Sequence, residues 1–123
     1  MESYITLKIT AQDADQCKVY KSLLEAMQGN HLEQCQEIIS NFDKRAITAF
    51  NNIIENWREN IDGIESITMS VKLITVYIFC DDYYEAEFFM EDMALLFSKA
   101  KRIKGGVENE WEEEGRLEMK RYI

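Results

Sequence analysis

The chain has no proline in 123 residues, and only five glycines, three cysteines and one histidine. Without proline, internal repeats or low-complexity tracts, nothing in the composition marks a linker, and the length suits a single domain spanning residues 1–123. The glycines, at positions 29, 63, 105, 106 and 115, all read as caps or turns, so no phosphate-cradling glycine loop is present. A lone His31, with no G-x-S-x-G and no Ser-His-Asp context, leaves nucleophilic catalysis without visible machinery.

Cys17, Cys35 and Cys80 form no C-x-x-C pair. His31 and Cys35 share a helix face at i and i+4, but a metal site there would need Cys17 and Cys80 brought in by folding, and no second close pair supports it. The expectation is three reduced core thiols and no cofactor. No apolar run approaches the roughly 18 residues of a spanning helix, so no membrane segment is expected. The start, MESYITLKIT, lacks the basic and apolar regions of a signal peptide, and a cytoplasmic location follows as the expectation.

Basic residues are also scarce: 14 Lys and Arg stand against 23 Asp and Glu, for a formal net charge of -9. A phosphate-neutralising basic face is therefore disfavoured, and with it direct nucleic-acid binding. An acidic surface instead suits solubility or a basic protein partner.

What is present is strong patterning. The segment Ser66 to Asp82 demands burial on both faces in its second half. Odd positions Ile67, Met69, Val71, Leu73, Tyr77 and Phe79 are apolar throughout, while even positions change from Ser66, Thr68, Ser70 and Lys72 to Ile74, Val76, Ile78 and Cys80. With no Gly, Asn or Pro inside to make a turn, it reads as one long central strand with a bulge near Lys72 to Ile74, two strands being the alternative.

Ser3 to Thr10 alternates cleanly, with Ile5, Leu7 and Ile9 on one side, and reads as a strand with one wet face. Asp13 and Gln16 form a capping-box pattern ahead of a helix ending at Gly29, the glycine taking the left-handed position and Asn30 with Glu33 capping the next helix. That second helix runs continuously from His31 to about Asn60, some 45 Å at roughly 1.5 Å per residue, with Asp43 intruding on its apolar arc as a place for a bend or break. Asp62 and Gly63 end it. Asp82 with Glu85 opens a third helix, which closes with Lys99, Lys101 and Arg102 in its last turn to suit the dipole.

Gly105-Gly106 then releases the chain into a C-terminal hairpin with Glu113, Glu114 and Gly115 as its loop. This register sets Trp111 opposite Leu117, Asn109 opposite Met119, Glu112 opposite Arg116 and Glu108 opposite Lys120. The resulting architecture is α+β, with topology β-α-α-β-α-β-β. An antiparallel sheet of about four strands is built from the N-terminal strand, the central strand and the hairpin. The αα-hairpin covers one face, and the third helix lies against the second face or the edge.

On the third helix Tyr84, Phe88 and Leu95 do not join the core face of Ala86, Phe89, Met90, Met93, Leu96, Phe97, Ala100 and Ile103. They form a narrow apolar stripe bordered by Glu85, Glu87, Glu91 and Asp92. Aromatic anchors rimmed by acids suit a protein interface with a basic partner, and Glu110, Trp111, Glu113 and Glu114 extend the acidic surface.

The expected function is therefore a small acidic, non-catalytic protein that binds and inhibits or adapts a basic, nucleic-acid-processing partner. Immunity proteins and phage-encoded anti-defence (anti-CRISPR-like) inhibitors act in this manner. A metal-dependent, nuclease-like enzyme using Asp81, Asp82 and Glu118, with the E-x-K of Glu118 and Lys120, is one alternative. A homodimer or larger homo-oligomer built through the same stripe is another.

Overall fold

The computed structural model describes residues 3–81, 83–109 and 118–123. The first strand, β1 (Ser3–Thr10), follows the alternation of its sequence: Ile5, Leu7 and Ile9 are fully buried while Tyr4, Thr6 and Thr10 are half-exposed. Asp13 caps α1 (Ala14–Gln28), its carboxylate accepting the Gln16 N–H at 2.8 Å and so satisfying one of the orphan donors of the first turn.

The Gly29-Asn30 turn works the other way round from the sequence expectation. Asn30 holds the left-handed position at φ 58°, Gly29 sits at φ −81°, and His31 precedes α2 (Leu32–Ile39) without a side-chain cap. Asparagine tolerates that conformation, and a Cβ on Gly29 would lie 2.7 Å from the exposed His31 ring, which would have to turn aside.

The expected 30-residue helix is three helices, α2, α3 (Lys44–Asn56) and α4 (Arg58–Asp62). Asp43 makes the break. Its carboxylate accepts the Ala46 N–H at 2.9 Å, so the side chain that intruded on the apolar arc starts a new helix. Gly63 ends α4, and a Cβ on it would come within 2.2 Å of the Phe79 carbonyl oxygen.

The central segment is a hairpin rather than one strand: β2 (Ile64–Ser70) and β3 (Leu73–Cys80) pair antiparallel about a two-residue turn at Val71 and Lys72. Val71 takes φ 57°, a position a β-branched residue reaches only under strain. Six ladder pairs and a 2.8 Å bond from the Ala11 N–H to the Lys72 carbonyl hold it there. Pairing Ile67 with Val76 and Met69 with Ile74 sets odd residues of one strand beside even residues of the other. The midway change of character in the even positions is therefore the mark of the turn.

The fifth helix, α5 (Tyr83–Leu96), stops earlier than its sequence suggests, and Lys99, Lys101 and Arg102 are not in its last turn. The chain turns over Phe97–Ala100 and enters β4 (Arg102–Asn109), so that Ile103 is buried opposite Ile9 and the Lys101 N–H reaches the Thr10 carbonyl at 2.8 Å. Burial of Ile103 beside β1 outweighs the dipole preference that would have kept the basic residues helical.

Gly105 and Gly106 lie inside β4 rather than in a turn. A Cβ on Gly105 would meet the Met90 sulfur at 2.7 Å, so its bare backbone lets α5 sit close on the sheet. The short β5 (Lys120–Arg121) pairs Gly105 with Lys120 and Lys104 with Arg121. The Glu108–Lys120 register is thus corrected by three residues. Asp82 and residues 110–117, with the expected cap and hairpin loop, lie outside the described residues.

The fold is α+β, an open antiparallel five-stranded sheet in the order β2-β3-β1-β4-β5. One hydrophobic cluster joins Ile5, Leu7 and Ile9 of the sheet to all the helices. Leu7 and Met90 both approach Gly105, so α5 shares the face that the other helices cover and does not take the second face or the edge. On that second face Tyr4 stacks on Tyr77 at 5.1 Å, and both are half-buried.

Candidate protein-binding surface

The site is built from α3 and α5, which run antiparallel. Asp43 meets Lys99 at 3.6 Å at one end, Asn52 meets Asp92 in the middle, and Trp57 packs edge-on against Phe89 at 6.0 Å toward the other. The centre is fastened by Asp92, whose Oδ2 accepts both the Trp57 Nε1–H at 2.7 Å and the Asn52 amide at 2.8 Å. Asn56 donates to Asn52 at 2.5 Å, extending the network along α3. Charge-assisted bonds of this kind fix the spacing of the two helices more firmly than apolar contact alone.

The apolar residues of α5 divide cleanly. Ala86, Phe89, Met90, Met93, Ala94 and Leu96 are buried, whereas Tyr84 is 82% exposed, Phe88 62% and Leu95 42%. The stripe read from the sequence faces solvent, about 16 Å long at roughly 1.5 Å per residue. Tyr83, 36% exposed, meets Tyr84 edge-on at 5.8 Å. Glu85, Glu87 and Glu91 are exposed around it, and Asp92 is half-buried in the network just described.

Glu87 forms an ion pair with Lys120, whose ammonium also lies 5.3 Å from the Tyr122 ring centroid. The Glu87 carboxylate, accepting from that ammonium, raises the Lys120 pKa. The C-terminal residues thus border the stripe, with the Tyr122 hydroxyl 3.8 Å from the Met90 sulfur. Glu110, Trp111, Glu113 and Glu114 lie outside the described residues.

Between the two helices runs an open groove in two parts. One, of about 430 Å³, is lined by Trp57, Glu85, Phe88 and Glu91. The other, of about 480 Å³, is lined by Lys44, Arg45, Thr48 and Leu95. Asn52 and Asp92 border both parts. The sequence reading missed the α3 side of this groove. The helical period puts Trp57 on the apolar arc and Asn52 opposite it, and nothing local says that a helix 40 residues later will meet them. Lys44 and Arg45 did carry a signal, since two cations directly after an Asp cap oppose the helix dipole.

A second cleft, of about 460 Å³, lies among Tyr20, Phe42, Asp43 and Lys99. Burial pushes the Tyr20 phenol up to about 12, helped by the nearby Asp43 charge, and the Ala46 N–H bound to Asp43 holds that carboxyl below its usual range.

The metal reading needs a cluster of ligands. Among the described residues no three His, Cys, Asp or Glu side chains come together where they could hold an ion. Asp81 follows β3 and Glu118 precedes β5, with β1 and β4 between, a separation of about 14 Å at roughly 4.8 Å per strand. Asp82 lies outside the described residues, and Lys120 of the E-x-K pairs with Glu87. Cys17, Cys35 and Cys80 are buried, and burial raises the Cys17 and Cys35 thiols. No helix is long and apolar enough to cross a membrane among the described residues.

Comparison with known proteins finds no match to this chain among family models, curated proteins or solved structures.

Proposed function

We propose that the protein is a small acidic, non-catalytic binding protein that inhibits or adapts a basic, nucleic-acid-processing protein partner. It would act in the manner of an immunity protein or a phage-encoded anti-defence inhibitor. The observation that carries the reading is the outward stripe of Tyr84, Phe88 and Leu95 on α5, set among Glu85, Glu87 and Glu91. Large apolar side chains held in water on a helix whose other face is already buried contribute little to folding, and they gain free energy when a partner covers them. The acids around them, on a chain of net charge -9, select a partner of positive surface and speed its approach. A protein that handles nucleic acid presents such a surface, and carboxylates placed on it would exclude the phosphates it normally binds.

The test is affinity capture from a lysate of the source organism at low and at high salt, using the native chain and a Phe88→Ala/Glu91→Lys variant. A stoichiometric basic protein, held by the native chain, released by salt and lost with the variant, is expected. Equal capture by a variant with unchanged circular dichroism would remove the stripe as the site. Recovery of the chain alone, with a dimer mass in light scattering, would replace the reading by self-association through the same face.

A further inference from the structure

We propose that the groove between α3 and α5 seats one amphipathic α-helix of the partner in a single direction. Its basic end lies over Glu85, Glu91 and Asp92, and its acidic end over Lys44 and Arg45. The inference rests on the proposed function for the existence of a partner; the groove itself is argued from its own shape and charge.

The two halves of the groove share Asn52 and Asp92, so they are continuous. From the Asp43–Lys99 contact to Trp57 the walls extend about 20 Å at roughly 1.5 Å per residue, room for between three and four helical turns. Apolar contact is available in each half: Trp57 and Phe88 in one, Ala49 and Leu95 in the other. Phe88 and Leu95 are separated by seven residues, two turns, which matches the i to i+7 spacing of anchors on a docking helix.

The form of the occupant follows from what the walls can offer. Both walls are helices, whose backbone donors and acceptors are spent internally away from their ends, so an extended segment would find no ladder to join. A helix brings its own backbone bonds and needs only side-chain contact.

Its direction follows from the separation of charge. Glu85 and Glu91 line one half, Lys44 and Arg45 line the other, and Asp92 lies between them. These cations occupy the first turn of α3, where the helix dipole disfavours them; the adjacent capping Asp43 is engaged by the Ala46 N–H and Lys99, and no ion pair among the described residues engages Lys44 or Arg45. A partner carboxylate placed there would satisfy what the fold leaves unanswered. The opposed ends also argue against nucleic acid as the occupant, since half the groove would repel its phosphates.

The test pans a display library of 16-residue peptides against the folded chain and measures the enriched peptides by fluorescence anisotropy. The expected sequences have apolar residues at i, i+3 or i+4, and i+7, with Lys and Arg gathered at one end and Asp and Glu at the other. Thr48→Trp, which fills the groove from an exposed position, should weaken them at least tenfold. Lys44→Glu with Arg45→Glu should redirect the selection to peptides basic at both ends. Enriched peptides without helical spacing or charge polarity, or binding that Thr48→Trp leaves unchanged, would overturn the inference.

The same Thr48→Trp chain, used in the lysate capture, separates the two proposals. A basic partner still held by Thr48→Trp but lost with Phe88→Ala/Glu91→Lys overturns the groove and keeps the proposed function. Groove-specific peptides with no basic protein captured keep the groove and overturn the partner.

Discussion

The two faces of α5 are made of similar residues and have opposite fates. Phe89 and Phe88 are neighbours in the chain, yet Phe89 is fully buried against Trp57 and the core while Phe88 is 62% exposed at the edge of the groove. The inner face is held by volume: Met90 fills the space over Gly105, and Met93 is sealed from solvent. The outer face carries large apolar side chains that the core does not cover, Tyr84 and Phe88 being mostly exposed. The difference separates residues that the core accounts for from residues that the proposed binding would account for.

The comparison breaks most sharply at Phe89. Phe89→Ala leaves a cavity at the junction of α3, α5 and the sheet and should cost about 3–5 kcal/mol in urea denaturation; a loss under 1 kcal/mol would show that the inner face is not the structural one. Asp92→Ala removes the acceptor shared by Trp57 and Asn52 and should cost about 1–2 kcal/mol, the half-buried site allowing water to replace part of the loss. A double-mutant cycle with Trp57→Phe would measure the coupling directly, and additive effects would contradict a shared acceptor.

Phe88→Ala should change stability by no more than about 0.5 kcal/mol while abolishing partner capture. A large stability loss there would return the stripe to the core.

The smallest effect expected is that of Asp43 at the far end of α3. Its carboxyl is held below the usual range chiefly by the Ala46 N–H and, further, by Lys99, so its folded pKa lies below its unfolded one. Its contribution is therefore complete above the unfolded value, near 3.8, and is lost as pH falls through the folded value. Asp43→Asn keeps a capping side chain at neutral pH but should flatten the acid limb of stability against pH. An unchanged limb would assign the acid sensitivity to other carboxylates.

Much of the local structure was legible in residues 3–28. The alternation of Ile5, Leu7 and Ile9 and the Asp13 cap correspond to β1 and α1 at nearly the expected bounds. The Tyr84, Phe88, Leu95 stripe was also legible, because a residue's place on a helix wheel depends only on its number. Less visible was the Val71 turn, since a valine at φ 57° is what local preference argues against, and only the ladder on either side of it makes the strain tolerable. Gly105 and Gly106 misled for the same reason. Next to each other they suggest a turn, and the need for Gly105 becomes apparent only with Met90 lying over it.

By itself, then, the sequence determined the periods, the Asp13 cap and the acidic excess, all of which act within a few residues or over the chain as a whole. Which faces met was decided by tertiary structure. Asp92 and Trp57 are brought together across 35 residues, and α5 was drawn to the same side of the sheet as the other helices. The physical reason is that an amphipathic pattern states that a face must be covered without stating by what. The choice of cover, and the groove left between α3 and α5, came from volumes and polar partners that only the folded chain brings together.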